Sequence, residues 1–332
     1  MHTPIDSNRF QIHELSTQDS LEQLKQDVQH GLFQPPRFLP PKYFYDADGS
    51  ALFDDICNTE DYYPTRTESA LLQQHTDQII DVVKPNICIE LGAGTSAKTE
   101  ILLSKLCSRL QHSEFTYLSI DVCYEILVES AQRLLVNYKN LSVKSIAGEY
   151  VPAIKAVASD VGPALYVFIG SSIGNFTQHE SIELLAEVAK KMNPEDYFLI
   201  GIDRVKEKHV LEQAYDDSQG VTSEFNLNVL NVLNYKLGAN FKLDKFKHQA
   251  IYNQKETQIE MYLTSVCDQE VEIARMDKTI KFGKGEKILT EISRKYTRSS
   301  IRGLLDKSGL QEALHFEPDN EYFSLVLAKV KR

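Results

Sequence analysis

The run Cys88-Ile-Glu-Leu-Gly-Ala-Gly94 constrains this chain more than any other stretch. A short apolar segment ends in two glycines, and a helical pattern through Leu103, Leu106, Cys107 and Leu110 follows at once. Glycines between a strand and a helix let the backbone approach a ligand closely. Ser96 stands where it can cap that helix. The same rhythm then repeats. Residues 86–91, 115–122, 141–147, 164–170 and 197–203 read as strands, and 124–137 and 181–192 as helices. Strands alternating with helices predict a parallel sheet covered on both faces.

Upstream, Ser20-Leu-Glu-Gln23 reads as a capping box, with Leu21, Leu24 and Val28 as an apolar stripe and Pro35-Pro36 as a stop. Residues 37–67 are rich in proline and aromatics, including Tyr43, Phe44, Tyr45, Phe53, Tyr62 and Tyr63, which suits a pocket wall or the cover of a core edge. A helix is expected over 67–83. After Asp203 the rhythm breaks. Phe225, Val229, Val232, Leu233 and Leu237 form an amphipathic helix closed by Gly238, and strand-like alternation covers 246–253, 259–266 and 271–274. A helix at 299–308 and a strand at 322–330 close the chain, so a small α+β insertion precedes the end of the sheet.

Composition narrows the function classes. A net charge of −11 argues against a nucleic-acid partner. Residues 1–10 lack the apolar core of a secretory signal, and no stretch reaches the roughly 18 apolar residues of a membrane span. Five scattered cysteines without a CxxC pair read as thiols of a reducing compartment, so a cytoplasmic protein is expected. The nine histidines lack metal spacing, so no metal is expected.

The third glycine of a dinucleotide fingerprint is replaced by Ala97, and Glu90 precedes the glycine pair. This E-x-G-x-G resembles the S-adenosylmethionine motif of Rossmann-like methyltransferases, where the acid can face the cofactor's cationic end. Asp121 closes the second strand, where a carboxylate can accept from ribose hydroxyls. Gly148-Glu149 after the third strand can lie on the adenine side.

Longer motifs carry a more specific resemblance. They are Leu39-Pro-Pro-Lys-Tyr-Phe-Tyr45-Asp, Tyr62-Tyr-Pro-Thr-Arg-Thr-Glu68, Glu90-Leu-Gly-Ala-Gly-Thr-Ser-Ala-Lys98-Thr and Gly170-Ser-Ser-Ile-Gly-Asn175. Ala214-Tyr215-Asp-Asp, Gly220-Val-Thr222, Glu224-Phe-Asn and Thr290-Glu291-Ile-Ser293 continue the set. From about Leu21 onward the chain resembles the bacterial histidine Nα-methyltransferases of ergothioneine biosynthesis, which form hercynine (N,N,N-trimethylhistidine). The resemblance implies that Asn175 and Tyr215 hold the substrate carboxylate, that Tyr62 lies near the α-amino group and Tyr45 near the growing methylammonium, and that Glu291 and Ser293 read the imidazole beside Met261. It implies a cofactor site at Gly92, Gly94, Lys98, Asp121, Glu149 and Tyr150, with Glu90 on the preceding strand. It further implies three transfers and a monomer acting on a small molecule. Two positions depart from the family pattern: Glu149-Tyr150 replaces Asp-Phe, and Ser172 replaces Thr.

The fold class that follows is α/β, a Rossmann-like class I methyltransferase sheet with a smaller α+β substrate-binding domain. Residues 65–205 plus 296–332 are expected to form the S-adenosylmethionine-binding domain, and 13–64 plus 206–295 the substrate-binding domain. Glu291 and Ser293 are two apart in an expected strand, so they share a face, and together they can bond both nitrogens of an imidazole. The amine must lose a proton before each attack, and the Tyr62 hydroxyl can pass it to water. Three rival readings are an N-methyltransferase for another aromatic amino acid such as tryptophan, a nicotinamide oxidoreductase, and an idle binding protein. A buried Glu291 and the bulk of Met261 favour histidine over tryptophan, because an unpaired buried carboxylate is costly.

Overall fold

The computed structural model describes residues 8–15, 20–110, 113–158 and 162–331. Two compact units result. Unit 1 takes the described residues of Met1–Leu15, Pro64–Val205 and Tyr296–Arg332, and unit 2 those of Ser16–Tyr63 and Lys206–Lys295.

The chain begins with strand β1 (Phe10–Glu14), helix α1 (Ser20–Leu32), strand β2 (Arg37–Phe38) and helices α2 (Ala47–Asn58) and α3 (Tyr63–Val83). The alternating part follows: β3 (Ile87–Leu91), α4 (Thr99–Arg109), β4 (Phe115–Asp121), α5 (Tyr124–Asn137), β5 (Leu141–Ala147), α6 (Tyr150–Ala156), β6 (Ala164–Phe168), α7 (Gln178–Lys191) and β7 (Tyr197–Asp203). Helices α8 (Lys208–Tyr215) and α9 (Val221–Leu237) lead to β8 (Phe246–Asn253), β9 (Gln258–Ser265), β10 (Gln269–Ile273), β11 (Lys278–Phe282) and β12 (Lys287–Arg294). Helix α10 (Arg298–Lys307) and strands β13 (Leu310–Phe316) and β14 (Phe323–Val330) end the fold.

Unit 1 holds an eight-stranded sheet in the order β1-β5-β4-β3-β6-β7-β14-β13. Every pair is parallel except β14 against β7 and β13. This is the α/β sheet expected from the sequence. Strands β3 and β6 are buried at every residue, which is why they read as unbroken apolar runs. The chain moves outward from β3 to β5 and returns to β6, so the strand order reverses beside β3. In such sheets the crevice for ligands opens at the carboxyl ends of the strands at that point.

Unit 2 contains the four-stranded sheet β2-β12-β9-β8, the hairpin β10-β11 and helices α1, α2, α8 and α9. Its core is aromatic: Phe44 stacks on Phe225 at 4.6 Å, and Phe241, Phe246 and Phe282 pack together. Gly238, at φ +62°, ends α9 as expected.

Several expectations need correction. The small domain was expected to begin at residue 13, but β1 pairs in parallel with β5, so His13 and Glu14 belong to unit 1. Ser96 does not cap α4. It sits at φ +56° with its hydroxyl 2.8 Å from Tyr117 Oη, and α4 starts after Lys98. The segment 37–67 contains a whole helix, α2, capped by Asp46 accepting from Gly49 N at 2.8 Å. Helix α6 and strand β13 were also unforeseen. The side chain of Ser20, expected to cap α1, and most of residues 1–10, expected not to form a secretory signal, lie outside the described residues. Among the described residues, no helix is long and apolar enough to cross a membrane, and no group of three or more His, Cys, Asp or Glu is placed to hold a metal ion.

Candidate active site

In unit 1 the turn after β3 places Gly92 at φ +67° and Gly94 at φ +48°, a conformation that favours glycine. The Gly92 and Ala93 amides donate to Ile120 O at 2.8 and 3.1 Å, which ties the turn to β4. Asp121 ends that strand. Its Oδ2 accepts from Gly94 N at 2.9 Å and its Oδ1 from Cys123 N at 3.0 Å. Burial pushes the Asp121 carboxyl up, and those two amides oppose the rise. A carboxylate offers about four lone-pair sites, so beyond these backbone amides, Val122 included, it can still accept from a ribose hydroxyl. No atom lies within 4 Å of where a Cβ on Gly94 would be, so there is room above the turn.

Tyr150 opens α6 and leans over the turn; a Cβ on Gly92 would lie 2.8 Å from its hydroxyl. Glu149 is the exposed residue just before α6, and its side chain makes no cap bond. The structure therefore brings Gly92, Gly94, Asp121 and Tyr150 together, and Glu149 stands exposed just before α6.

Glu90 is 2% exposed beneath the turn. It accepts from Thr99 Oγ1 at 2.5 Å and from the Tyr117 hydroxyl. Burial raises its pKa to about 8 against the pull of those hydroxyls and of Lys98. With both oxygens engaged, Glu90 orders the start of α4 under the glycines.

A second buried acid was quoted in the sequence motifs without a role. Glu68, on α3, is fully buried and accepts from Gly170 N with both oxygens at 2.9 and 2.8 Å and from Lys98 Nζ at 2.7 Å. Two glycines make room for it: a Cβ on Gly201 would lie 1.7 Å from Glu68 Oε1, and one on Gly170 would lie 2.9 Å from Lys98 Nζ. Glu68 thus links the loop after β3 to the loop after β6. Beyond Gly170, Ser171 takes φ +58° and its hydroxyl accepts from Asp203 N at 2.9 Å. The 3₁₀ turn Ser172–Asn175 follows, ending on half-buried Asn175.

In unit 2, β12 and β9 set the substrate residues by register. Glu291 pairs with Met261 and Ser293 with Ile259, and a bulge falls between Leu289 and Glu291. Bulges re-aim side chains beside functional sites. Met261, Glu291 and Ser293 are all buried. Burial lifts Glu291 to about 7, and Lys295 holds it from rising further. Tyr215, the last residue of α8, reaches this face with its hydroxyl 2.8 Å from Ser293 Oγ. Behind it, His248 Nε2 donates to Tyr215 O at 2.8 Å, while its Nδ1 accepts from Asn226 Nδ2 at 2.8 Å. A carbonyl only accepts, which fixes the tautomer. Burial lowers the His248 pKa and keeps the ring neutral.

The aromatics complete this set. Tyr62 is 7% exposed and meets Tyr215 edge to face at 5.9 Å. Burial drives its phenol well above the usual range, with Tyr215, Cys57, Glu291 and Tyr45 adding to the rise. Half-buried Tyr45 packs edge to face on Phe53 at 5.8 Å and on Phe225 at 5.9 Å. Tyr45, Tyr62, Tyr215, Glu291 and Ser293 are thus neighbours within unit 2. Sequence reasoning missed Lys295, whose Nζ donates to both Tyr215 Oη and Ser293 Oγ at 2.9 Å.

The glycine turn, the carboxylate at the end of β4 and the open space at Gly94 fit S-adenosylmethionine, and comparison with known proteins agrees. The family described as histidine-specific, S-adenosylmethionine-dependent methyltransferase matches residues 24–330. A histidine N-alpha-methyltransferase of Mycolicibacterium smegmatis is 37% identical over 314 residues, 95% of this chain and 97% of that one. One from Mycobacterium tuberculosis is 37% identical over 92% of this chain and 94% of its own length. Ergothioneine biosynthesis protein 1 of Schizosaccharomyces pombe is 26% identical over 88% of this chain, which spans 39% of that longer protein. This chain belongs to the family of histidine-specific, S-adenosylmethionine-dependent methyltransferases.

Proposed function

We propose that this enzyme methylates the α-amino nitrogen of L-histidine, in three successive transfers that give N,N,N-trimethylhistidine for ergothioneine biosynthesis. The observation that carries the reading is the buried face on which Glu291 and Ser293 stand in step beside Met261, with the Tyr215 hydroxyl 2.8 Å from Ser293. A carboxylate and a hydroxyl two residues apart suit the two unlike nitrogens of an imidazole.

S-adenosylmethionine, when bound, supplies a methyl group on an electrophilic sulfonium. Asp121 would accept from its ribose hydroxyls, Gly92 and Gly94 would let the backbone approach, Tyr150 would cover the base, and Lys98 would meet its carboxylate. Glu90 acts through the turn it supports. Glu149, exposed just before α6, is assigned to the adenine side. For the substrate, Asn175 and Tyr215 donate to the carboxylate. Tyr45 offers a ring face to the methylated ammonium, worth ~0.5–2 kcal/mol, after N–H donation has been lost.

The substrate amine must be neutral when its lone pair takes the methyl, so the nitrogen loses one proton before each of the three attacks, and the quaternary product has none left to lose. Tyr62 is the residue we assign to that proton. Its raised pKa keeps it a phenol, so it accepts the amine proton only while passing its own to water. Orientation supplies most of the remaining acceleration, since the sulfonium is already activated.

We place the reaction in the cytoplasm and assign it to a monomer that needs neither nucleic acid nor membrane. Five free thiols and the net charge of −11 support this placement. Tryptophan is the rival substrate, and Glu291 opposes it, because an indole has one N–H and leaves a buried carboxylate under-bonded. Turnover of histidine against tryptophan with labelled cofactor tests the choice; a higher kcat/KM for tryptophan would overturn it.

A further inference from the structure

The run Ala214-Tyr215-Asp-Asp217 closes α8, Glu224-Phe-Asn226 lies in α9, and His248 of β8 is hydrogen-bonded to both. Asn226 is fully buried and His248 is 4% exposed. The Asn226 amide donates from Nδ2 to Tyr262 O at 3.2 Å and to His248 Nδ1 at 2.8 Å, and His248 Nε2 donates to Tyr215 O at 2.8 Å.

This chain of bonds runs between two backbone carbonyls, and a carbonyl only accepts. Every group along it is thereby fixed. Tyr262 O requires the NH2 of Asn226 on its side; turned over, the amide would set oxygen against oxygen. The same NH2 requires an unprotonated Nδ1, and Tyr215 O requires a proton on Nε2. Both ends demand one state of the ring, a neutral imidazole protonated on Nε2. Burial holds the ring neutral against the pull of the Tyr215 carbonyl, of Asp216, whose Oδ1 lies 3.9 Å from Nε2, and of Asp217. A second proton would set the Nδ1–H against the Asn226 amide, donor against donor.

The bonds join two walls of one site. Tyr262 follows Met261 on β9, and two residues beyond His248 on β8, Ala250 pairs with Met261. Tyr215 is the last residue of α8, where carbonyls have no further donors within the helix. Across the turn, the Asp217 carboxylate accepts from Thr222 N at 2.7 Å and from Gln219 N and Val221 N at 3.1 Å, which secures the start of α9. A leucine in place of the imidazole would bury no polar group, but it would hold the end of α8 by packing alone. A fully bonded polar chain admits one arrangement.

We propose that His248 is a positioning residue for the reaction: held by Asn226, it fixes the end of α8 against the strand that carries Met261, and so sets where the Tyr215 hydroxyl meets the substrate carboxylate. The inference rests on reading Tyr215 as a contact of that carboxylate.

Glutamine and asparagine separate the two sides of the ring. In His248→Gln the side chain reaches as far as Nε2 did and can donate to Tyr215 O. In His248→Asn it reaches only as far as Nδ1 did, which keeps an acceptor for Asn226 and loses the donor to Tyr215. The test is steady-state kinetics with histidine in full-length chains, with calorimetric affinity for S-adenosylmethionine reporting that each is folded. His248→Asn should raise KM for histidine about tenfold and change kcat less than about threefold, while His248→Gln stays within about threefold of the unmodified protein. Adding His248→Asn to Tyr215→Phe should cost little beyond Tyr215→Phe alone, because one residue acts through the other. Additive losses, or a loss in His248→Gln as large as in His248→Asn, would overturn the inference alone. An unchanged KM in Tyr215→Phe would overturn the carboxylate reading and the inference with it. Should His248→Asn not fold, Asn226→Ala in the same cycle with Tyr215→Phe carries the decision. Long-range ¹H–¹⁵N spectra of the unmodified protein at pH 7, with His248 identified by its loss in His248→Gln, should show a neutral ring protonated on Nε2; a proton on Nδ1 would overturn the inference.

Discussion

Glu291→Gln should make the unliganded protein more stable and the enzyme worse, with the stability gain following pH. Glu291 is 8% exposed, and burial lifts its pKa from 4.5 to about 7. A carboxyl whose folded pKa is raised costs the folded chain nothing below its unfolded value. The cost grows as pH climbs from about 4.5 to about 7 and is constant above that. A displacement of that size corresponds to about 3 kcal/mol at pH 8 and to roughly 1 kcal/mol at pH 5. Glutamine keeps the shape and cannot ionise, so the variant recovers this cost. In a chain of this size the melting temperature should rise by roughly 4–5 °C at pH 8, and by a third of that or less at pH 5. The same change removes a charged acceptor from the imidazole, worth ~1.5–3 kcal/mol, so kcat/KM for histidine should fall ~10–150-fold. Scanning calorimetry at the two pH values and steady-state kinetics read both halves. A stability difference that does not change with pH, or full activity in the variant, refutes the reasoning.

Three further substitutions probe the other parts. Glu68→Gln replaces one acceptor oxygen by a donor against Gly170 N and Lys98 Nζ, and should cost ~2 kcal/mol of stability and about tenfold in S-adenosylmethionine affinity; a calorimetric titration matching the unmodified protein would dismiss the role. Gly92→Ala forces an L side chain to φ +67° and towards the Tyr150 hydroxyl, at ~1–2 kcal/mol for the backbone alone. Adding Tyr150→Phe should recover only the steric part of the lost cofactor affinity, and a complete recovery would show that backbone strain is not at issue. Tyr62→Phe should lower kcat by ~10–100-fold with KM for histidine nearly unchanged; undiminished turnover in single-turnover experiments would remove Tyr62 from the proton path.

The sheet was legible because β3 and β6, buried on both faces, leave unbroken apolar runs that end in recognisable turns. Strand β1 was not, since Phe10–Glu14 mixes polar and apolar residues and its pairing with β5 is more than a hundred residues away in sequence. Helix α2 was masked by Gly49, which looks like a breaker. The structure needs it there, because a Cβ would lie 1.7 Å from Phe44 O. Ser96 misled for a related reason: its hydroxyl is used by Tyr117, a tertiary contact no local pattern reveals. At the site, Glu291 and Ser293 were found by family resemblance and by a period of two, and extending that period by one more step reaches Lys295. Glu68 stood inside a quoted motif, yet its partners Lys98 and Gly170 lie on other elements, and only the fold joins them.

The central claim is that a methyl group goes to the α-nitrogen of histidine. The most direct measurement incubates the protein with ¹³C-methyl-labelled S-adenosylmethionine and equal concentrations of histidine and tryptophan, and follows the products by mass spectrometry and NMR. The account predicts mono-, di- and trimethylated histidine with every label on the α-nitrogen and tryptophan left largely unchanged. Label on an imidazole nitrogen, or tryptophan consumed ahead of histidine, would contradict it.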